Sequence, residues 1–235
     1  MKSCLRQRSA FIGLITLFSV TLISESSMAQ SILVANPLAG RVSVIDRQGQ
    51  LRAQYQSVGD ARRVASDGVK WAWFLTRHPG TLHRVDLESL ELDSRVLGGE
   101  GRSLSLAADG DPIYAMTLPS GAGRLERRDP DGTLVWNLTI EPPESGMVVD
   151  GEGVVWVASG AHQNGSILRR VSAATGVILS AHPGCRRPQE IKARPGGGVY
   201  VFCLLSSAIW VYDRDGALIR LVELGSGAHE FAVDP

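Results

Sequence analysis

The chain reads as all-β, a β-propeller of about five four-stranded blades with its ring closed by its own C-terminal strand, on three observations. The first is a hairpin signal at near-constant spacing. The segments RRVASDGVKWAWFL from Arg62, RSLSLAADGDPIYAM from Arg102, SGMVVDGEGVVWVAS from Ser145 and QEIKARPGGGVYVFC from Gln189 share one shape: an apolar run, a turn, and an aromatic-bearing apolar run. HEFAVDP, from His229, repeats the first half of that shape and stops. The turn positions Asp67, Asp109, Asp150, Pro195 and Asp234 are 42, 41, 45 and 39 residues apart, the period of propeller blades.

The second observation is another column of turns. Asp46-Arg-Gln-Gly49, Asp86-Leu-Glu-Ser89, Asp129-Pro-Asp-Gly132, Ala173-Ala-Thr-Gly176 and Asp213-Arg-Asp-Gly216 each separate two short strands. Asp bonds its own downstream backbone and Gly accepts positive φ, so these residues end strands. Each unit then holds four strands, A to D. The third observation lies at the ends. SILVANPLAGRVSVIDRQGQLRAQYQ supplies strands B, C and D without an A, and HEFAVDP supplies an A alone. Pairing Phe231 to Val233 with Ile32 to Ala35 would close the ring and remove its exposed edges. The competing reading is a truncated array of six or seven blades.

In chain order, residues 1–29 read as a signal peptide: basic Lys2, Arg6 and Arg8, an apolar stretch from Phe11 to Ile23, and Ser27-Met-Ala29 as the cleavage site. The stretch is shorter than the roughly 20 residues of a membrane span, so no stable membrane insertion is expected once it is cleaved. Residues 30–235 form one propeller domain. Its blades are approximately 30–60 plus 228–235, 61–100, 101–143, 144–186 and 187–227. Strand B in each is apolar almost throughout, as in Trp71 to Leu75, Ile113 to Met116 and Val154 to Ala158, which fits a sheet covered on both faces. Trp71, Trp73, Trp156 and Trp210 fall in such strands and read as interblade packing. Strands C and D interleave charge, as in Leu125-Glu-Arg-Arg128 and Ile167-Leu-Arg-Arg170, and read as nearer the rim.

Charge narrows the partners. Losing Lys2, Arg6, Arg8 and Glu25 with the leader turns 24 basic and 24 acidic residues into 21 and 23. Such a balance gives no footprint for nucleic acid or an anionic membrane. Of the cysteines left, Cys185 and Cys203 belong to the fifth blade and form a disulfide candidate, with an ordinary buried thiol at Cys203 as the alternative.

In a propeller the D–A and B–C loops gather at one mouth of the central channel. That register places Glu190, Glu230, His229, His78, His162, Asn164, Arg62 and Arg102 there as binding candidates. Glu190, Glu230 and His229 could together bind a divalent cation or move protons. The competing reading is that loop residues are polar because they are solvated. No nucleophile elbow, phosphate loop, His-Glu-x-x-His or dinucleotide fingerprint occurs. The glycines of Gly98-Gly-Glu-Gly101 read as turn residues.

On Met147 to Ala158, Leu33 to Gly49 and Tyr200 to Gly216, the chain resembles the superfamily of NHL-repeat, YVTN-type, SMP-30-like (gluconolactonase-like) and virginiamycin B lyase-like propellers. The shared motifs specify blades. The enzymes among these families imply a divalent cation at the channel mouth, for which Glu190, Glu230, His229 and Asn164 are the counterparts here; no residue-by-residue match carries catalysis over. Two functions follow as expectations. One is an exported monomer, periplasmic or extracellular, that binds a protein, peptide or glycan through its mouth loops. The other is a metal-dependent lactonase or lyase acting on a small molecule in the channel.

Overall fold

The computed structural model describes residues 19–21, 31–56, 60–160, 165–225 and 231–233. They form five four-stranded antiparallel sheets. The first holds β1 (Ser19–Thr21), β2 (Ser31–Asn36), β3 (Arg41–Asp46) and β4 (Leu51–Gln56), and the second β5 (Ala61–Ser66), β6 (Trp71–Thr76), β7 (Thr81–Asp86) and β8 (Leu92–Val96). The third holds β9 (Glu100–Leu106), β10 (Pro112–Thr117), β11 (Gly123–Arg128) and β12 (Leu134–Ile140). The fourth holds β13 (Pro143–Val149), β14 (Val154–Ser159), β15 (Ile167–Ser172) and β16 (Ile178–Pro183), and the last β17 (Pro188–Ala193), β18 (Val199–Cys203), β19 (Ala208–Tyr212) and β20 (Leu218–Glu223). A single 3-10 turn, Leu204–Ser206, is the only helical element among the described residues.

Turn chemistry sets the strand ends. Asp67 Oδ1 accepts the backbone N–H groups of Val69, Lys70 and Trp71, and Asp150 Oδ1 those of Glu152 and Val154. Asp46, Asp86, Asp129 and Asp213 do the same at the outer turns. Side-chain oxygens thus satisfy N–H groups that a tight turn would otherwise strand.

The second strands are apolar because both their faces are covered. Phe74, Leu75, Ile113, Met116 and Trp156 are all nearly inaccessible. One apolar cluster fills each successive interface: Leu33, Val42 and Phe74 between the first two sheets, and Trp73, Leu75 and Tyr114 between the next two. Ile113, Trp136 and Val157 then join the third to the fourth, and Trp156, Val201 and Tyr212 the fourth to the last. Each such fully buried side chain is worth about 1.5–3 kcal/mol. The tryptophans are therefore packing residues.

The third strands correct the sequence reading, whereas the fourth strands β8 and β20 are exposed almost throughout, as expected nearer the rim. Glu126, Arg127 and Arg169 are buried and do not lie at a solvated rim. Arg127 reaches the fourth sheet, donating from Nη1 to Ala173 O at 2.9 Å, while Nε bonds Asp111 Oδ2 at 3.0 Å. Equivalent strand-C arginines act alike: Arg84 donates to Pro130 O, and Arg170 to Asp215 O at 3.4 Å. These three arginines stand 43 residues apart and each ties one sheet to the outer turn of the next.

Closure by the C-terminal strand also needs correction. The place beside β2 is taken by β1, a segment of the expected leader, in the register Ser19↔Ala35, Val20↔Val34 and Thr21↔Leu33. A strand edge accepts any extended backbone, and this Ser-Val-Thr stretch lies close by in sequence, so its loop-closure cost is low. Phe231, Ala232 and Val233 belong to no strand. Phe231 instead lies against Tyr200, with ring centroids 6.4 Å apart, and Lys192 Nζ stands 5.2 Å from its centre.

Candidate functional site

The inner strands share a feature at their first residues. Pairing slips at Arg62 in β5, at Arg102 in β9, between Pro143 and Met147 in β13, and at Gln189 in β17. A bulge inserts an extra residue and re-aims its neighbours. Two consecutive polar side chains, Arg62-Arg63, Arg102-Ser103 or Gln189-Glu190, are thereby accommodated where strict alternation would send one of them to the opposite face.

Acids stand at the junctions between sheets and are ion-paired. Asp60 pairs with Arg62, and Glu141 with Arg169, which also donates to Ser159 Oγ. Glu100 collects the most partners. Its Oε1 accepts from Arg77 Nε and lies 3.3 Å from His78 Nε2, and its Oε2 accepts from Arg102 Nη2 at 3.0 Å. Arg102 Nε also donates to Thr117 Oγ1 at 3.2 Å. Asp60, Glu100 and Glu141 are 40 and 41 residues apart. The next junction carries the disulfide between Cys185 and Cys203.

Of the candidates read from sequence, the structure brings His78 and Arg102 together on Glu100. Arg62 stays more than half exposed beside Asp60. Glu190 lies on the last sheet with Lys192 Nζ 3.2 Å from Oε1, and its Oε2 is buried without a partner among the described residues. His162, Asn164, His229 and Glu230 lie outside the described residues. Among the described residues no group of three or more His, Cys, Asp or Glu is arranged to hold a metal. Glu100 escaped the sequence reading because it sits among glycines that a turn explains. The signal that could have found it is the spacing it shares with Asp60 and Glu141.

A cleft of about 350 Å³ opens beside Glu100, lined by His78, Pro79, Val96, Thr117, Leu118 and Pro119 together with Gly80, Gly98 and Gly99. Its floor is backbone against backbone. A Cβ on Gly80 would meet Gly99 O at 1.9 Å, and one on Gly101 would meet Thr76 O at 2.4 Å. Leu97 N donates to Gly80 O at 2.9 Å and Gly101 N to Arg77 O at 3.3 Å, stitching the loop after β8 to the turn after β6.

No protein-family model matches the sequence, and no curated protein matches it. Among solved structures, the chain is similar to virginiamycin B lyase from Staphylococcus aureus, with a TM-score of 0.68 and 12% identity over 89% of this chain and 70% of that one. It is equally similar to a streptogramin B lyase, with a TM-score of 0.68 and 10% identity over 90% and 74%. A protein of unknown function from Bacteroides caccae aligns with a TM-score of 0.48 and 17% identity over 69% of this chain, which spans 57% of that chain's length. At such identities the two lyases speak to architecture alone, and with the five sheets they make this chain a β-propeller.

Proposed function

We propose that the chain is an exported recognition module whose mouth binds a peptide segment of a partner protein. The observation that carries this reading is the ion-paired mouth. Asp60, Glu100, Glu141 and Glu190 each already hold a cation. Charges fixed in pairs on a rigid scaffold read a ligand's charge and shape. Of protein, peptide and glycan ligands, the aliphatic walls Pro79, Val96, Leu118 and Pro119 suit peptide side chains.

In the exported form the ring is closed and five-bladed, the protein monomeric, and its compartment periplasmic or extracellular. Support for closure comes from the two facing surfaces. Ile32 and Val34 alternate with Leu33 and Ala35 and so turn away from the second sheet, while Lys192 and Tyr200 alternate with Ile191 and Val201 and turn away from the fourth. Phe231 already rests on the latter surface. Cleavage after Ala29 takes β1 away, and Phe231 to Val233 then pair with β2.

The test is selection from a random peptide library on the secreted protein. Selected peptides should lose at least about tenfold in affinity with Arg77→Gln/Arg102→Gln and keep it with Arg214→Gln, whose partner Glu152 lies among the inner turns. Peptides indifferent to the mouth variant refute the reading.

A second reading, a metal-dependent lactonase or lyase, is supported by Glu190 Oε2, buried without a partner among the described residues, and by the likeness to the two lyases. Stoichiometric divalent metal in the purified protein, lost in Glu190→Gln, would favour it.

A further inference from the structure

We infer that Phe231 to Val233 form a strap poised on the last sheet, and that β1 keeps it from closing the ring until the expected leader is removed. This rests on the recognition reading, whose mouth the strap would complete, and names how that mouth is switched on.

The strap already holds its place on one side. In the third, fourth and last sheets the first strand sends one apolar residue back to the sheet before it. Leu104 shares a buried cluster with Trp73, Met147 with Ile113, and Ile191 with Trp156. Tyr200 is the last sheet's counterpart of those second-strand residues, because it pairs with Lys192 as Trp73 pairs with Ala65, Ile113 with Ser105 and Trp156 with Val148. Phe231 lies against Tyr200. It therefore stands to the last sheet as Leu104, Met147 and Ile191 stand to theirs. Val233 reaches the inner turns, where it lines a cleft with Asp150 to Glu152 and Ala193 to Gly197, so the segment runs toward those turns as a first strand does.

Its other neighbour is missing. Apolar clusters join the successive sheets from first to last, and none among the described residues joins the last sheet to the first. Ser31 opposes Asp46 as Trp71 opposes Asp86, which makes Val34 the counterpart of Phe74. Phe74 opposes Val64 on its first strand. The same register puts Phe231 opposite Val34, Ala232 opposite Leu33 and Val233 opposite Ile32. Directly opposed residues point to one side of a sheet. Val34 turns away from the second sheet, which is the side on which Phe231 would meet Tyr200.

β1 holds that edge instead, with Val20 opposite Val34 and Thr21 opposite Leu33. One edge takes one strand at a time. The tether through residues 22–30 presents β1 at a high effective concentration, and cleavage after Ala29 abolishes that advantage. The strap then wins through its aromatic contact with Tyr200, which the Ser-Val-Thr strand lacks. The leader is thus an intramolecular competitor, and closure around the mouth follows its removal.

The test is a thiol pair. Ile32→Cys/Val233→Cys puts thiols on directly opposed residues, within disulfide reach only when the strap is paired. Cys4→Ser in the same chain removes the remaining free thiol, since Cys185 and Cys203 are bonded. Oxidation of the full chain should form the new bond slowly, and cleavage after Ala29 should speed it at least about tenfold. Val20→Pro/Thr21→Pro, which takes ladder N–H groups from β1 without cutting the chain, should speed it as much. Val20→Ile/Thr21→Val should not. Peptides selected on the cleaved chain should bind the full chain at least about tenfold more weakly and the proline variant at full strength. A bond that forms equally fast with β1 intact, broken or cut away overturns the inference, as does a bond that forms in none of the three. Peptides that bind the full and cleaved chains alike overturn the switch and leave recognition standing. A library that yields no binder refutes recognition, while the thiol rates still decide the strap.

Discussion

Lowering the pH tests the burial of His83 in the second sheet. The ring is only 5% exposed, stacks on Phe74 with centroids 4.2 Å apart, and places Nδ1 2.7 Å from Ser94 Oγ. Its Nε2 is buried without a partner among the described residues. Burial penalises the imidazolium and holds the pKa at about 4, below the ordinary 6.5. Above pH 6.5 both folded and unfolded chains carry neutral His83, and its contribution to stability is whole. As pH falls from 6.5, the unfolded chain takes up a proton that the folded chain refuses until about pH 4, so stability drains across that window. At about 1.4 kcal/mol per pH unit the loss is bounded near 3 kcal/mol; relaxation around the Ser94 edge brings the expected loss to about 2 kcal/mol. Urea unfolding of the unaltered protein and of His83→Phe at pH 7.5, 5.5 and 4.5 isolates it, because the carboxylates titrate alike in both. The unaltered protein should lose about 2 kcal/mol more than the variant between the extremes. Parallel losses would refute the burial argument.

Other perturbations act on particular joints. Arg127→Met strands Asp111, whose pKa burial already raises, and should cost about 3–5 kcal/mol in urea unfolding, with Arg127→Met/Asp111→Leu recovering most of it. Replacing Cys185 and Cys203 together by Ala opens a link across 18 residues, and should cost about 3 kcal/mol, read by calorimetry as a melting point lowered by about 8 °C. Gly101→Ala would press a methyl into Thr76 O and Leu75; a loss of about 1–3 kcal/mol is expected, together with altered amide shifts at Glu100 and Arg102.

The repeat was legible because turns and strand interiors obey local rules. Asp67 and Asp150 announce their hairpins through short-range side-chain bonds, and Trp156 or Phe74 announces burial by its apolar surroundings. Contacts between sheets obey no such rule. Arg84, Arg127 and Arg170 look like rim charges until the turn of the next sheet is seen to offer a carbonyl. The slips at Arg62, Arg102 and Gln189 are set by backbone pairing that composition does not encode. Glu100 was hidden by its glycine neighbours, and the pairing of Ser19–Thr21 with β2 by the boundary drawn at Ala29. His78 and Arg102 stand out in the sequence as loop residues, but Glu100, the carboxylate that pairs with both, opens β9 four residues after β8 ends and had to be found in space.

A crystal structure of the protein with a library-selected peptide bound is the most direct measure of the proposed mouth recognition. The peptide should lie across the junctions at Asp60, Glu100 and Glu141. A peptide seated instead on the outer strands, or on the face formed by the turns at Asp67, Asp109 and Asp150, would contradict it.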